Sequence, residues 1–245
     1  MKFINKALAT ASVVLFTASC ASSGVNLEGL TSVAESALGD SAGGVLSTDD
    51  ITKGLKEALV VGSGAVVGQL GQTDGFSADP LIRIPLPNSL QKARDFASKV
   101  GLEGSFDDLE LKLNRAAEEA TPKAKELFLT AIRDMSVEDA KGILQGPDNA
   151  ATAYFRDETG DNLQAQMRPI VDQALSQVGA VGSFNQLLDK YNAIPFAPEV
   201  DADLTGHVVE EGSDGIFYYL AEEEKAIREN PLKRTSEILQ RVFGS

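Results

Sequence analysis

The chain lacks residues on which several classes of protein depend. Its 245 residues include one cysteine, one histidine and no tryptophan. A single cysteine excludes an intramolecular disulfide and a zinc site built from several cysteines. A single histidine excludes the zinc and di-iron sites that need two. The sequence also has no run of about 20 apolar residues, the length that a stable transmembrane helix requires.

Positive charge is scarce as well. The chain has 22 Lys and Arg against 36 Asp and Glu, which gives a formal net charge of −14. Because nucleic-acid binding needs clustered cations that neutralise phosphates, this composition excludes a nucleic-acid partner. Apolar residues nevertheless make up 43% of the chain, which is enough for a full hydrophobic core.

The first 20 residues, MKFINKALATASVVLFTASC, are typical of a secretory signal. Two lysines precede an apolar run over 7–16, and small residues follow up to Cys20. We expect residues 1–19 to be a signal peptide and Cys20 to be the lipidated first residue of a lipoprotein. The position three before the cysteine is threonine, where such signals usually have leucine. The alternative is ordinary cleavage after Ala21, which removes the cysteine and leaves a soluble periplasmic protein.

Residues 20–47 are rich in Ser, Gly and Ala and are expected to form a flexible tether behind the lipid. A coil of this length has an r.m.s. span of about 26–31 Å, enough to hold a folded body clear of the headgroups. Ala21, rather than Asp, follows the cysteine, which resembles the pattern sorted to the outer membrane in Gram-negative bacteria. The predicted location is therefore the outer membrane, facing the periplasm, with the membrane contacted through the lipid.

Residues 48–245 carry apolar residues at helical spacing, without a βαβ or hairpin pattern. The sequence predicts a single all-α domain, a multi-helix bundle of about eight to ten helices. Caps and prolines predict that helices begin at Thr48 or Asp49, at Ser105, at Thr121-Pro122 and at Ser136. Gly160-Asp161 is expected to break or bend the helix that contains it. Further helices are expected over 184–194, over about 204–229 and after Pro231.

One proline-rich segment interrupts the helical pattern. Residues 79–87 read DPLIRIPLP, and three prolines exclude both a helix and a central strand. Because Ile82, Ile84 and Leu86 alternate along it, we expect an extended strap that lies in a groove between helices.

A carboxylate on an apolar stripe is the main candidate for a site. Glu223 follows Ile216 and Leu220 at helical spacing, which predicts a buried carboxylate that must be paired or neutral. The possible partners beside apolar runs are Arg83, Arg115, Arg156 and Arg168. Two interpretations stay open: a structural Arg–Glu clasp that fixes the strap, or a pocket for a small polar or anionic ligand. Asp79, which precedes Pro80, is expected to be a turn or cap residue, with a catalytic acid as the alternative.

No motif points to a cofactor or to a metal. His207 has Glu210 and Glu211 within one helical turn, a spacing that is able to form one face of a metal site. Such residues more often form a solvated pair on a helix surface, so we assign no metal ligand, no cofactor and no catalytic residue.

Seven blocks of sequence follow one another over roughly residues 48–244. They are GLKEAL (54–59), DGFSADPLIRIPLP (74–87), NRAAEEA (114–120), YFRDET (154–159), RPIVDQAL (168–175), YNAIPF (191–196) and DGIFYYLAEEEKAIRENP (214–231). In order and length these blocks resemble the bacterial domain of unknown function 4197 family. The resemblance implies a secreted helical domain, often with a lipoprotein-like signal. It implies no activity and carries over no functional residue.

Three hypotheses of function remain. The favoured one is a non-catalytic binding or interaction module that faces the periplasm and binds an envelope protein, a small ligand or lipid. The second is a hydrolase that uses Glu223 and Asp79 as acid and base, which needs two carboxyl groups about 5–10 Å apart in an open cleft. The third is a purely structural envelope protein.

Overall fold

The structure is a computed structural model that describes residues 47–230. The predicted signal peptide over 1–19, the lipidation site Cys20 and the terminal helix expected after Pro231 lie outside the described residues. So does the tether over 20–47, except for its last residue.

Between residues 47 and 230 the chain forms seven α-helices, one 3-10 turn and no strand, which confirms the predicted all-α bundle. The elements are α1 (Thr48–Leu70), α2 (Asn88–Ala97), the 3-10 turn (Ser98–Val100), α3 (Glu103–Asp134), α4 (Val137–Gln145), α5 (Ala150–Gln177), α6 (Ala180–Asn192) and α7 (Leu204–Glu229). The sequence pattern missed α2, which is only 10 residues long, and it located α7 correctly.

Capping boxes fix where two of these helices begin. Ser47 precedes α1 and forms a capping box with Asp50, so the cap lies one residue before the predicted Thr48. Ser136 caps α4 as predicted, and it exchanges hydrogen bonds with Asp139. The bonds from Ser136 also lower the pKa of the Asp139 carboxyl.

The restart predicted at Thr121-Pro122 does not occur, and neither does a break at Gly160-Asp161. Helix α3 runs without a break through Pro122, and α5 runs through Gly160 and Pro169. In both helices buried residues continue on the same face beyond the predicted break. Packing of a continuous apolar stripe therefore outweighs the local preference of proline and glycine to end a helix.

Helix α3 lies at the centre of the fold and packs against α1, α5, α6 and α7. Phe128 of α3 makes edge-to-face contacts with Phe155 of α5 and Phe217 of α7, with ring centroids 6.4 and 6.2 Å apart. These aromatic contacts join three helices in one hydrophobic core.

Residues 71–87, called the connecting segment below, join α1 to α2 and are not helical. Their second part is the predicted strap, and Ile82, Ile84 and Leu86 are buried as its alternation indicated. The segment begins with a tight turn at Gly75, where a Cβ atom would lie 2.4 Å from the carbonyl oxygen of Leu70. Only glycine fits that close approach.

Candidate functional site

A buried amide on α3 holds the strap. The Asn114 Oδ1 accepts a hydrogen bond from the Ile84 N–H at 2.9 Å, and its Nδ2 donates to the Ile84 carbonyl at 2.8 Å. Nδ2 also donates to the Glu110 carbonyl one turn earlier in α3. The Asn114 side chain thus provides hydrogen-bond partners for both the N–H and the carbonyl of Ile84. In a sheet, a neighbouring strand provides such partners.

A buried carboxylate one turn further along α3 holds the first part of the connecting segment. The Glu118 Oε1 accepts from the backbone N–H groups of Phe76 and Ser77, both at 3.1 Å. Its Oε2 accepts from Arg115 at 2.7 Å, and the same guanidinium pairs with Asp74 at 2.7 Å. The bonds to Glu118 and Asp74 raise the pKa of Arg115 above its ordinary value. Burial of this charge is compensated by an ion pair and by charge-assisted hydrogen bonds.

Helix α7 holds the segment from the other side. The Tyr219 hydroxyl donates to the Asp79 carboxylate, whose second oxygen accepts the Leu81 N–H at 2.9 Å. This hydrogen bond to Asp79, together with burial, raises the pKa of Tyr219 to about 12. The Asp79 carboxylate therefore links α7 to the backbone of the connecting segment.

Two more contacts on α7 complete the attachment. The His207 Nε2 lies 2.7 Å from the Pro85 carbonyl oxygen, so this nitrogen carries the proton and donates it. At Gly215 a Cβ atom would lie 2.9 Å from the Phe76 ring, so α7 passes directly beneath the segment. We call Asn114, Glu118, His207 and Tyr219 the clasp.

A second buried carboxylate connects α7 to α5. Glu224 accepts hydrogen bonds from the N–H groups of Ala151 and Thr152 at 2.9 and 3.0 Å, and from the Thr152 hydroxyl at 3.0 Å. Arg228 pairs with it at 2.9 Å. Asn149, the residue before α5, makes no side-chain cap, so Glu224 supplies acceptors for the free N–H groups of that helix end.

The sequence predicted that Glu223 is buried, but the buried carboxylate is that of the next residue, Glu224. Glu223 is half-buried, whereas Glu224 is 9% exposed. Both positions lie on the flanks of the stripe that Leu220 and Ile227 define, at seven or eight residues from Ile216. Helix α5 packs against the side of the stripe on which Glu224 lies, so Glu224 is buried there. The spacing of apolar residues along α7 does not show on which side a neighbouring helix packs.

The predicted arginines do not meet at one site. They pair with carboxylates in separate places: Arg83 with Glu110 at 2.8 Å, Arg115 with Glu118 and Asp74, Arg156 with Asp214 at 2.7 Å, and Arg168 with Asp203 at 2.5 Å. The Arg168 contact is the main cause of the lowered pKa of Asp203. Arg156 and Arg168 are about half exposed, and pairs of that kind contribute only about 0.2–1 kcal/mol each.

Asp79 and Glu223 line different cavities. Asp79 lies in an open depression with Gln69, Thr73 and Asp74. Glu223 lies at a crevice between α1, α5 and α7, which encloses about 440 Å³ including the part open to solvent. Apart from Glu223, Glu224, Arg228 and two hydroxyl groups, the crevice is lined by apolar residues and glycine.

The described residues contain neither a cluster of metal ligands nor a helix that could span a membrane. Over residues 47–230 no three side chains among His, Cys, Asp and Glu are grouped so as to hold a metal ion. In the same range no helix combines the length and the apolar character needed to cross a bilayer.

The family model described as "Protein of unknown function (DUF4197)" matches residues 45–244. The chain belongs to this family. In this DUF4197 protein the sequence blocks that resemble the family contact one another: Asn114 and Glu118 bind the block over 74–87, and Tyr219 joins that block to the one over 214–231. No curated protein and no solved structure matches the chain.

Proposed function

We propose that this DUF4197 protein is an exported lipoprotein whose helical body is a non-catalytic binding module, and that the connecting segment is its recognition surface. The observation that carries the proposal is the clasp. Side chains on two helices hold an irregular, proline-rich segment through its backbone, and this leaves alternate side chains of the segment outside.

The outer side of the segment has the chemistry of a contact surface. Leu81 is 67% exposed, and Pro80 and Pro85 beside it are exposed as well. Arg83 adds a half-exposed cation between them. Because the backbone is already fixed, a partner that binds here loses little additional conformational entropy.

The roles of the buried carboxylates support binding rather than catalysis. Glu118 and Glu224 each accept two backbone N–H groups and an arginine, and Asp79 accepts a tyrosine hydroxyl and a backbone N–H. The hydrolase hypothesis needs Asp79 and Glu223 to face one cleft, whereas they line two different cavities. The oxygens of Glu118, Glu224 and Asp79 are therefore hydrogen-bonded to groups of the protein itself.

Export and anchoring are proposed from the first 20 residues. Several acyl chains on Cys20 would retain the protein at a membrane far better than one chain, at about 0.8 kcal/mol per buried CH₂. A body with a strong negative charge is repelled by an anionic leaflet, so the lipid rather than the protein surface provides the attachment.

The test is isolation of the mature protein from its own envelope, followed by native mass spectrometry. Acyl chains on Cys20 and a stoichiometric partner are the expected results, and Cys20→Ala is expected to release the protein from the membrane. A photo-cross-linking residue at position 81 is expected to capture the partner, whereas the same residue at exposed position 125 on α3 serves as the control. The proposal fails if the protein stays in the cytosol with Met1 attached, or if it shows turnover that one carboxylate substitution abolishes.

A further inference from the structure

The loop that joins α6 to α7, residues 193–203, presents a fully exposed phenylalanine. Phe196 is 99% exposed, more than any other large apolar side chain among the described residues. We propose that its ring is a fixed anchor for a protein partner, which receives it in an apolar pocket with a basic rim. This inference does not depend on the partner proposed for the connecting segment.

The backbone holds Phe196 in a strained conformation. The Ala197 N–H bonds to the Ile194 carbonyl at 3.2 Å, which closes a turn with Pro195 and Phe196 at its central positions. Phe196 has a φ of 64°, in the left-handed region that favours glycine. For folding alone, glycine would therefore serve at least as well as an aromatic residue at this position. Strain of this kind is typical of residues that are held for binding.

The rest of the loop fixes this turn to the bundle. Three apolar residues of the loop are partly buried and pack against the core: Ile194, Ala197 and Val200. The Asp201 carbonyl accepts a hydrogen bond from the Ser89 hydroxyl of α2 at 2.8 Å. Pro195 restricts the φ angle next to Phe196. Because the turn is fixed before binding, a partner that buries the Phe196 ring loses little additional conformational entropy.

The loop begins at the end of the bundle where α3 begins. Tyr191, in the last turn of α6, contacts Phe96 of α2 with ring centroids 6.2 Å apart. Arg94 on the same helix pairs with Asp107 of α3 at 2.5 Å. Further exposed apolar side chains lie on the elements at this end: Phe96, Val100 and Val181. Phe196 thus belongs to a region of the surface with several exposed apolar groups, as protein interfaces have.

The start of α1 lies at the opposite end of the bundle. A Cβ atom on Gly71, which follows α1, would lie 2.7 Å from the Pro122 Cγ of α3. Near the other end of α1, Lys56 donates to the Arg133 carbonyl at 2.8 Å. Because α1 therefore runs antiparallel to α3, its first residues lie beside the last turn of α3, about 39 Å along that helix from Asp107. A membrane that holds the chain ahead of α1 is thus far from the loop, which favours a protein as the partner.

Charge around the loop favours a basic partner. Residues 189–203 contain four carboxylates and one cation, Lys190. Two of these carboxylates, Glu199 and Asp201, are exposed. An anionic membrane surface is repelled by this loop, and so is a second copy of a chain whose net charge is −14. Lys or Arg side chains around the partner's pocket would complement these carboxylates.

Competition for a photo-cross-link tests the proposal. The mature chain with p-benzoylphenylalanine at position 196 is expected to capture one envelope protein in osmotically opened envelopes. The same residue at the exposed position 186 of α6 is the control and is expected to capture none. Unlabelled wild-type chain in tenfold excess is expected to lower the yield at position 196 about tenfold. Unlabelled Phe196→Gly chain is expected to leave the yield unchanged, because the loss of one buried ring weakens binding roughly 10- to 100-fold.

Unfolding in urea separates binding from folding. Phe196→Gly is expected to unfold at the same urea concentration as the wild-type chain or at a higher one, because glycine relieves the strain at this φ. Unlabelled Glu199→Lys chain is expected to compete several-fold less well than the wild-type chain. Equal competition by wild-type and Phe196→Gly chains, unfolding of Phe196→Gly at lower urea, or no capture at position 196 would each overturn the proposal. So would a cross-linked dimer of the chain, or sedimentation with phosphatidylethanolamine–phosphatidylglycerol vesicles that depends on Phe196.

Discussion

Replacement of Glu118 by alanine tests whether the clasp holds the connecting segment. The carboxylate is 4% exposed and is the acceptor for two backbone N–H groups that have no other acceptor among the described contacts. Glu119, the next residue on α3, is exposed and serves as the matched control. The two substitutions remove the same atoms from adjacent positions of one helix, so their helix propensities cancel in the comparison.

The expected magnitude follows from the contacts. Each hydrogen bond from a neutral donor to a charged acceptor contributes about 1.5–3 kcal/mol. The pair with Arg115 adds less than about 1 kcal/mol, because that side chain is 29% exposed and keeps its second partner, Asp74. Water that reaches the half-buried Ser77 lowers the loss, so we expect Glu118→Ala to reduce the free energy of unfolding by about 3 kcal/mol.

Urea unfolding followed by circular dichroism measures this difference. The same loss lowers the melting temperature by about 6–12 °C in a domain of this size. Glu119→Ala is expected to change the free energy of unfolding by less than about 0.5 kcal/mol. Hydrogen exchange at Phe76 and Ser77 is expected to accelerate in the first variant alone. If both variants unfold at the same urea concentration, Glu118 does not support the segment and the argument from the clasp is refuted.

Three further substitutions test other contacts of the fold. Asn114→Ala removes both bonds to Ile84 and is expected to cost about 2–4 kcal/mol of unfolding free energy in urea; a loss below about 1 kcal/mol would contradict it. Glu224→Ala leaves the first turn of α5 without its acceptor and is expected to cost about 2–3 kcal/mol, whereas Glu222→Ala at an exposed position of α7 is expected to be neutral. Because the pKa of Tyr219 is raised to about 12 from an ordinary value of 10, its contribution to stability is complete below pH 10 and is lost as the pH rises through 12. Tyr219→Phe is therefore expected to remove one late-titrating tyrosine from the ultraviolet titration, and an unchanged curve would show that the Tyr219 hydroxyl has no raised pKa.

The sequence predicted those features of the fold that are signalled by a repeating pattern of apolar residues. Apolar residues at helical spacing gave the all-α class and the position of α7, and alternation in the strap gave its buried side. These patterns involve many residues, so one exception does not change the result. The restart at Thr121-Pro122 and the break at Gly160-Asp161 were wrong, because each depended on two residues and burial of the surrounding helix face outweighed them.

The polar contacts were not predictable in the same way. Asn114 and Glu118 lie in the segment NRAAEEA, where a polar side chain next to alanines is equally compatible with solvent and with a buried bond. Their roles depend on a segment about 30 to 40 residues earlier in the chain, and nothing in the local spacing names that partner. One weak local signal was present: Asn114 and Glu118 lie next to the buried Leu113 and Ala117, so a wider apolar stripe on α3 would include them.

The two buried carboxylates, Glu118 and Glu224, both accept hydrogen bonds from backbone N–H groups that lack a partner in a helix. Glu118 accepts from a turn, and Glu224 accepts from the first turn of a helix. In both cases an arginine from the same helix neutralises the charge. A catalytic carboxylate needs an open side that faces a substrate, whereas these oxygens face backbone donors and a guanidinium. Rigid support of irregular backbone is what a displayed recognition surface requires. Under the proposed function, recognition therefore belongs to the exposed side of the supported segment, where Leu81 and Arg83 lie, and not to the charged groups that support it.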